Sequence, residues 1–268
     1  MRNRRGLFAG MQSGRLSGFV PYKGTKDLPN AGRISRFIRN FVDMKVALCQ
    51  FSMEWEAAAR NLRRAEELVA QAGADLALLP EMFATGFVTE PWRTALPDEE
   101  ELLAWMRRTA RRYATALAGS AVVRSGDRFA NRFFFVRPAG GAERYDGLRF
   151  LPLVCYDLRF PVWCRCRSDY DAILCVASWP APRREVWRTL LRARAIENQC
   201  YVVGVNRTGD DPWNHYAGDS AVVDFKGTPL CEADASEGVF TARLDREALD
   251  RFRTKFPAWR DADDFLLR

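Results

Sequence analysis

From Met44 onward, short apolar runs alternate with longer segments in which apolar residues recur every three or four positions. The first pattern predicts strands and the second amphipathic helices. Residues 45–50 form a strand on this reading, and 54–72 a helix with Ala58, Leu62, Ala65, Leu68 and Val69 on its apolar face. Residues 75–80 make a compact strand ending at Glu81. A second helix covers 98–114, where acidic residues 99–101 suit the positive end of the helix dipole. Strands 115–123 and 129–136 are joined across a turn at Gly126-Asp127. After the break at 138–141, strand 148–154 delivers Cys155. Strand 172–177, helix 185–199, strand 201–206, strands 217–224 and 238–244 and a mostly helical tail from Asp245 complete the order. Alternation of strand and helix predicts α/β layering, and the turn-joined strands imply a mixed sheet or two sheets.

A chain of 268 residues can bury one large core, and 48% hydrophobic with 28% charged residues is ordinary for a globular protein. The formal charge of +7 changes meaning once it is located. Residues 1–40 hold nine Arg or Lys against the single acid Asp27, so the rest of the chain is close to neutral. The basic character belongs to the leader, which argues against a phosphate-tracking body and against nucleic acid as a partner.

The chain therefore divides into a basic, disordered extension over 1–43 and a domain over 44–268. Because Met44 directly precedes the first strand, the leader reads as an upstream start carried through, with an organelle-targeting arm or a functional basic tail as alternatives. It lacks the apolar core of a secretory signal, and no run approaches the length of a membrane span. Seven cysteines without a CxxC and the lone His215 describe neither a disulfide scaffold nor a zinc site. A reducing, cytoplasmic setting with no metal and no cofactor is the expectation, the more so because no GxGxxG or phosphate-binding loop is present.

Cys155 ends an apolar strand and precedes Tyr156-Asp157, where the chain must turn. Such an elbow can present a nucleophile beside backbone N–H groups, although a buried structural thiol fits the same spacing. Glu81 ends another strand. In a parallel sheet the C-terminal strand ends gather at one edge, so Glu81 could share a cleft with Cys155 and take its proton, or simply be a solvated carboxylate. His215 lies in a polar loop and is a weaker candidate for base or pocket lining. No serine has a GxSxG context.

The strings Leu79-Pro-Glu-Met-Phe-Ala-Thr-Gly-Phe87, residues 151–163, Ala177-Ser-Trp-Pro-Ala-Pro182, Leu191-Arg-Ala-Arg-Ala-Ile-Glu-Asn198, Gly204-Val-Asn-Arg207 and Gly218-Asp-Ser220 occur in order. Together they resemble the nitrilase or carbon–nitrogen hydrolase superfamily, most closely its omega-amidase branch. The resemblance implies an α-β-β-α sandwich that pairs into a four-layer homodimer. It assigns Glu81 as general base and Cys155 as nucleophile of an amidase working through a thioester. The oxyanion would be held by a lysine and by the backbone N–H after the cysteine, here that of Tyr156. Small 2-oxo dicarboxylic acid monoamides, 2-oxoglutaramate and 2-oxosuccinamate, are the implied substrates. Arg183 and Arg184 are candidates for the far carboxylate, with Trp179 and Phe87 as apolar wall.

One element of that pattern is missing. In the omega-amidase branch the lysine follows a Tyr-Asp pair and precedes a long segment before the cysteine strand. Here Tyr145-Asp146 runs at once into Gly147-Leu-Arg149, and no lysine occurs from Val46 to Phe225. Arg144, Arg149 and Lys226 are the cations nearest in sequence, and a guanidinium is a poor substitute for a compact ammonium. The expectation is an impaired omega-amidase-like hydrolase, with a catalytically inactive homodimeric scaffold or regulator as the alternative.

Overall fold

The computed structural model describes residues 43–92, 94, 97–138 and 148–263. The basic leader, Arg144 and Tyr145-Asp146 lie outside the described residues. Strand β1 (Asp43–Gln50) is followed by α1 (Ala58–Ala72), β2 (Leu76–Leu78), α2 (Glu99–Tyr113), β3 (Ala116–Ser125) and β4 (Arg128–Val136). Then come β5 (Phe150–Val154), a 3-10 turn (Cys155–Arg159), α3 (Pro161–Cys164), β6 (Ala172–Ala177), α4 (Arg184–Asn198) and β7 (Tyr201–Asn206). The chain closes with β8 (Thr208–Asp210), β9 (His215–Ala217), β10 (Ala221–Val223), β11 (Pro229–Glu232), β12 (Gly238–Asp245) and α5 (Arg246–Lys255).

The strands build two five-stranded sheets, ordered β12-β1-β2-β3-β4 and β11-β10-β7-β6-β5. Period-two alternation divides each strand between two cores. Val46, Leu48, Leu76, Leu78, Leu174, Val176, Val203 and Val205 meet between the sheets. Ala47, Cys49 and Ala77 face outward onto Leu68, Val69 and Met106 of α1 and α2. Ile173, Cys175 and Val202 face the opposite way onto Trp187 and Leu191 of α4. The result is an α-β-β-α sandwich, and burial on both faces explains why the central strands are continuous apolar runs. No helix among the described residues is long and apolar enough to cross a membrane.

Local differences from the sequence reading have physical causes. Helix α1 starts at Ala58 rather than residue 54, because Asn61 turns its side chain back to accept from the Glu54 N–H and donate to the Glu54 and Ala84 carbonyls. The stretch 217–224 is not one strand. Gly218 and Asp219 both adopt positive φ, and the Asp219 carboxylate is held by Arg184 and Arg188 of α4. Edge strand β11 escaped notice because it is four residues long and begins with proline.

Candidate active site

Glu81 and Cys155 come from different sheets, not from one parallel sheet as the sequence reading supposed. Strand β2 of the first sheet ends just before Leu79-Pro80-Glu81, and β5 of the second ends at Val154. Facing sheets bring the two strand ends together, and the Glu81 N–H donates across the gap to the Ala177 carbonyl at 3.4 Å.

The segment after β2 is fastened to β3. Leu79 N–H donates to Ala118 O, Phe83 N–H to Ser120 O and Met82 N–H to Ser120 Oγ. Gly119 matters here, since a Cβ at that position would lie 2.9 Å from the Phe83 ring. Cys155 opens the 3-10 turn with φ +44°, a conformation unusual for a residue bearing Cβ. The turn is tied by Asp157, whose carboxylate accepts from the Val154 N–H at 3.0 Å. Backbone tension of this kind is found where a side chain must be presented in one direction.

Glu81 is buried and fully partnered. Its Oε1 accepts from Asn131 Nδ2 on β4 at 2.8 Å, and its Oε2 accepts from the Ser178 N–H at 2.8 Å. The Cys155 thiol hydrogen-bonds to the same carboxylate, and the Ser178 N–H also reaches the Cys155 sulfur. Burial pushes the Glu81 pKa up to about 7, against the downward pull of Ser178, Cys155 and Asn131. Burial, then the adjacent Glu81 charge, hold the Cys155 thiol well above its ordinary value. No lysine stands among these partners. A buried carboxyl that titrates near neutrality beside a thiol is suited to accept the thiol proton.

The remaining candidates fall at different distances from this pair. Trp179 is buried; its N–H donates to Asn206 Oδ1 and its indole to the Arg183 carbonyl. Tyr156 is 64% exposed, with its ring edge-on to Phe160. Phe87 is half-buried and packs into a separate cluster with Met82, Val88, Val122 and Phe129. The Arg183 side chain is exposed, whereas Arg184 is committed to Asp219. His215 is exposed and paired with Asp210.

The cations considered as lysine substitutes lie elsewhere. Arg149 is bound to Asp171 at the start of β5, the end opposite Cys155. Lys226 lies over the rings of Phe225 and Phe252, beyond Val223, which pairs with Val202 at the start of β7. Asn131 and Ser178 were missed as site residues. The available signal was Asn131 falling in step with Phe129 on alternate positions of β4, since a buried amide demands partners.

The family model for carbon-nitrogen hydrolases matches residues 45–150 and 140–254. The chain belongs to the carbon–nitrogen hydrolase family. Omega-amidase YafV of Escherichia coli K12 is 40% identical to this carbon–nitrogen hydrolase over 253 residues, covering 84% of the chain and 98% of YafV. The 2-oxoglutaramate amidase of Bacillus subtilis is 30% identical over 249 residues, covering 81% and 96%. The crystal structure of a CN-hydrolase superfamily protein from Xanthomonas campestris, which carries an arsenic adduct in its active site, superposes with TM-score 0.79 at 38% identity, covering 84% of this chain and 99% of that one. The YafV alignment spans 253 positions, of which 84% of a 268-residue hydrolase supplies about 225. Roughly thirty positions of the relative thus have no counterpart here, and the two stretches of the family match meet at 140–150.

The Glu81 environment sets a pH dependence. Below about pH 7 the carboxyl is neutral and cannot take the thiol proton. Iodoacetamide labelling of Cys155 should therefore rise through about pH 7, ahead of Cys49 and Cys200, which are fully buried. Glu81→Gln should remove that rise. The same shift acts on stability: a raised carboxyl pKa favours the fold fully below the ordinary value of 4.5 and loses that contribution as pH climbs through about 7. Glu81→Gln should stabilise the protein at pH 8, by at most about 3 kcal/mol. The buried Asn131 Oδ1 has no partner, so a flipped Asn131 amide can accept from the new Gln. Denaturant midpoints at pH 5 and pH 8 check this; a loss of stability at pH 8 counts against a charged, desolvated Glu81.

Proposed function

We propose that this hydrolase is a cysteine amidase of the omega-amidase type, weakened by loss of the lysine-bearing segment. Glu81 is its base and Cys155 its nucleophile. The observation that carries the reading is the buried contact of the Cys155 thiol with Glu81, both held by the Ser178 N–H. In this reading Cys155 Sγ attacks a primary amide carbonyl while Glu81 takes the thiol proton. Glu81 returns that proton to the departing nitrogen, so ammonia leaves and a thioester remains. A water deprotonated by Glu81 then releases the carboxylic acid and frees the thiol. The Tyr156 N–H, at the start of the 3-10 turn, is left as the oxyanion donor.

Likeness to YafV and to the Bacillus subtilis 2-oxoglutaramate amidase supports primary amides of small 2-oxo dicarboxylic acids as substrates. The absence of lysine from Val46 to Phe225 favours a second reading, a nitrilase-fold scaffold or regulator without turnover. Ammonia release from 2-oxoglutaramate, beside a Cys155→Ala control, separates them. Slow, Cys155-dependent release supports the amidase; release equal to the control leaves the scaffold.

Two finer expectations accompany this reading. Exposed Phe160, Val162 and Trp163 around α3, with Val186 and Ile196 on α4, support a homodimer through the outer helices, which light scattering would test. None of the seven cysteines is in a disulfide, which fits a reducing, cytoplasmic compartment.

A further inference from the structure

We infer that Arg159 is the anion-recognising group of this site, selecting amides that also carry a carboxylate; the inference rests on the function proposed above. Arg159 ends the 3-10 turn that Cys155 begins. At about 2 Å of rise per residue, four residues place it roughly 8 Å along the axis from the nucleophile. Its guanidinium carbon lies 4.9 Å from the centroid of the Trp179 ring and 5.8 Å from that of Tyr156.

Both rings belong to residues that follow the ends of the neighbouring parallel strands β5 and β6. Tyr156 follows Cys155 directly. Trp179 follows Ser178, whose N–H reaches both the Glu81 carboxylate and the Cys155 sulfur. A cation resting on both rings therefore stands at the end of the second sheet that carries Cys155, not at the remote end where Arg149 is held.

The acids around it are committed elsewhere. Asp157, on the same turn, is turned back onto the Val154 N–H. Asp219 is taken by Arg184 and Arg188, and Glu185 by Arg188. Among the described residues, no carboxylate lies within ion-pair distance of Arg159. A guanidinium stacked on an aromatic face keeps its N–H edge available, and that edge matches a carboxylate in a two-point contact. Arg183, the sequence-level candidate for this task, is exposed, and its carbonyl merely anchors the Trp179 indole.

Turnover is not needed to test this. Iodoacetate and iodoacetamide present the same electrophilic carbon to Cys155 and differ in charge. Site-resolved mass spectrometry gives both labelling rates in the unmodified protein, Arg159→Gln and Arg159→Lys. Arg159→Gln should lower the iodoacetate-to-iodoacetamide ratio at Cys155 about tenfold, the scale of one partly screened charge at this range, and Arg159→Lys should keep most of it. In the unmodified protein, glutarate should slow iodoacetamide labelling where its neutral diamide does not. An unchanged ratio in folded Arg159→Gln overturns the assignment to Arg159 while leaving the amidase reading intact. Should that variant not fold, equal protection by glutarate and the diamide overturns it instead. Failure of Cys155 to react with either reagent overturns the amidase reading and this inference together.

Discussion

Restoring a lysine-bearing segment after Asp146 should raise Cys155-dependent ammonia release from 2-oxoglutaramate by on the order of 10²-fold or more, the scale set by removing one donor from an oxyanion hole. The topology says why a lysine inserted there can arrive at the thiol. Val136 at the end of β4 pairs with Leu117 near the start of β3, and Phe150 at the start of β5 pairs with Ala172 at the start of β6. The rings of Phe135 and Phe150 lie 6.0 Å apart, so both sides of the junction meet at one end of the sandwich, opposite Cys155.

Strands β4 and β5 each pair on one side only among the described residues, which leaves two sheet edges where an added hairpin can hydrogen-bond. A strand of six residues from the junction spans about 20 Å, the length of β5 with its approach, and sets the next residue level with the strand ends. The compact ammonium would then meet a site whose present partners, Asn131, Ser178 and Glu81, bring no positive charge. Single-turnover rates in the unmodified, restored and restored Cys155→Ala proteins measure the effect. Equal, Cys155-dependent rates in the first two would mean that another group already supplies the oxyanion charge, and the proposed impairment would be wrong.

What could be read from the sequence follows from how local each feature is. Strands β6 and β7 were legible to the residue because both faces are buried and every position before the terminal Asn206 of β7 is apolar, aromatic or glycine. Cap residue Asp98 was legible because its carboxylate serves the N–H groups two and three residues on. The break at Gly218-Asp219 was not, since it depends on Arg184 and Arg188 reaching from another element. The site shows the same division. Glu81 and Cys155 could be named from motifs, but the reason they meet is the facing of two sheets, which no local pattern encodes. Asn131 and Ser178 gain their roles only when chain positions 50 and 97 residues from Glu81 close upon it. Arg159 was within sight of the nucleophile, yet its significance comes from stacking on Trp179.

Asp171→Asn should cost about 3–5 kcal/mol of stability, the scale for removing one partner from a buried ion cluster. Asp171 is fully buried just before β6, and its carboxylate accepts from the Arg149 N–H, Nε and Nη2 at 2.9, 3.0 and 3.0 Å. Arg246 and Arg253 of α5 reach the same oxygens at 3.3 and 2.9 Å. One acid thus clamps the C-terminal helix to the second sheet and fixes where β5 begins, immediately after the junction. Among the described residues, Asp171 sets the entry of β5 through its bonds to Arg149, so the strand's start has an anchor within the second sheet itself. Burial alone would raise the carboxyl pKa, but the bonds and charge of Arg149, joined by Arg246, outweigh it and hold it below the ordinary value. A depressed acid contributes stability above its unfolded pKa and loses it as pH falls through the folded value, so the clamp is intact at neutral pH and fails only in strong acid. The variant should therefore unfold at lower urea with an unchanged slope, and its deficit against the unmodified protein should shrink below about pH 4. A loss under about 1 kcal/mol at pH 7 would mean the three arginines are adequately solvated without Asp171, and the anchoring of β5 would then have to come from its pairing with β6 alone.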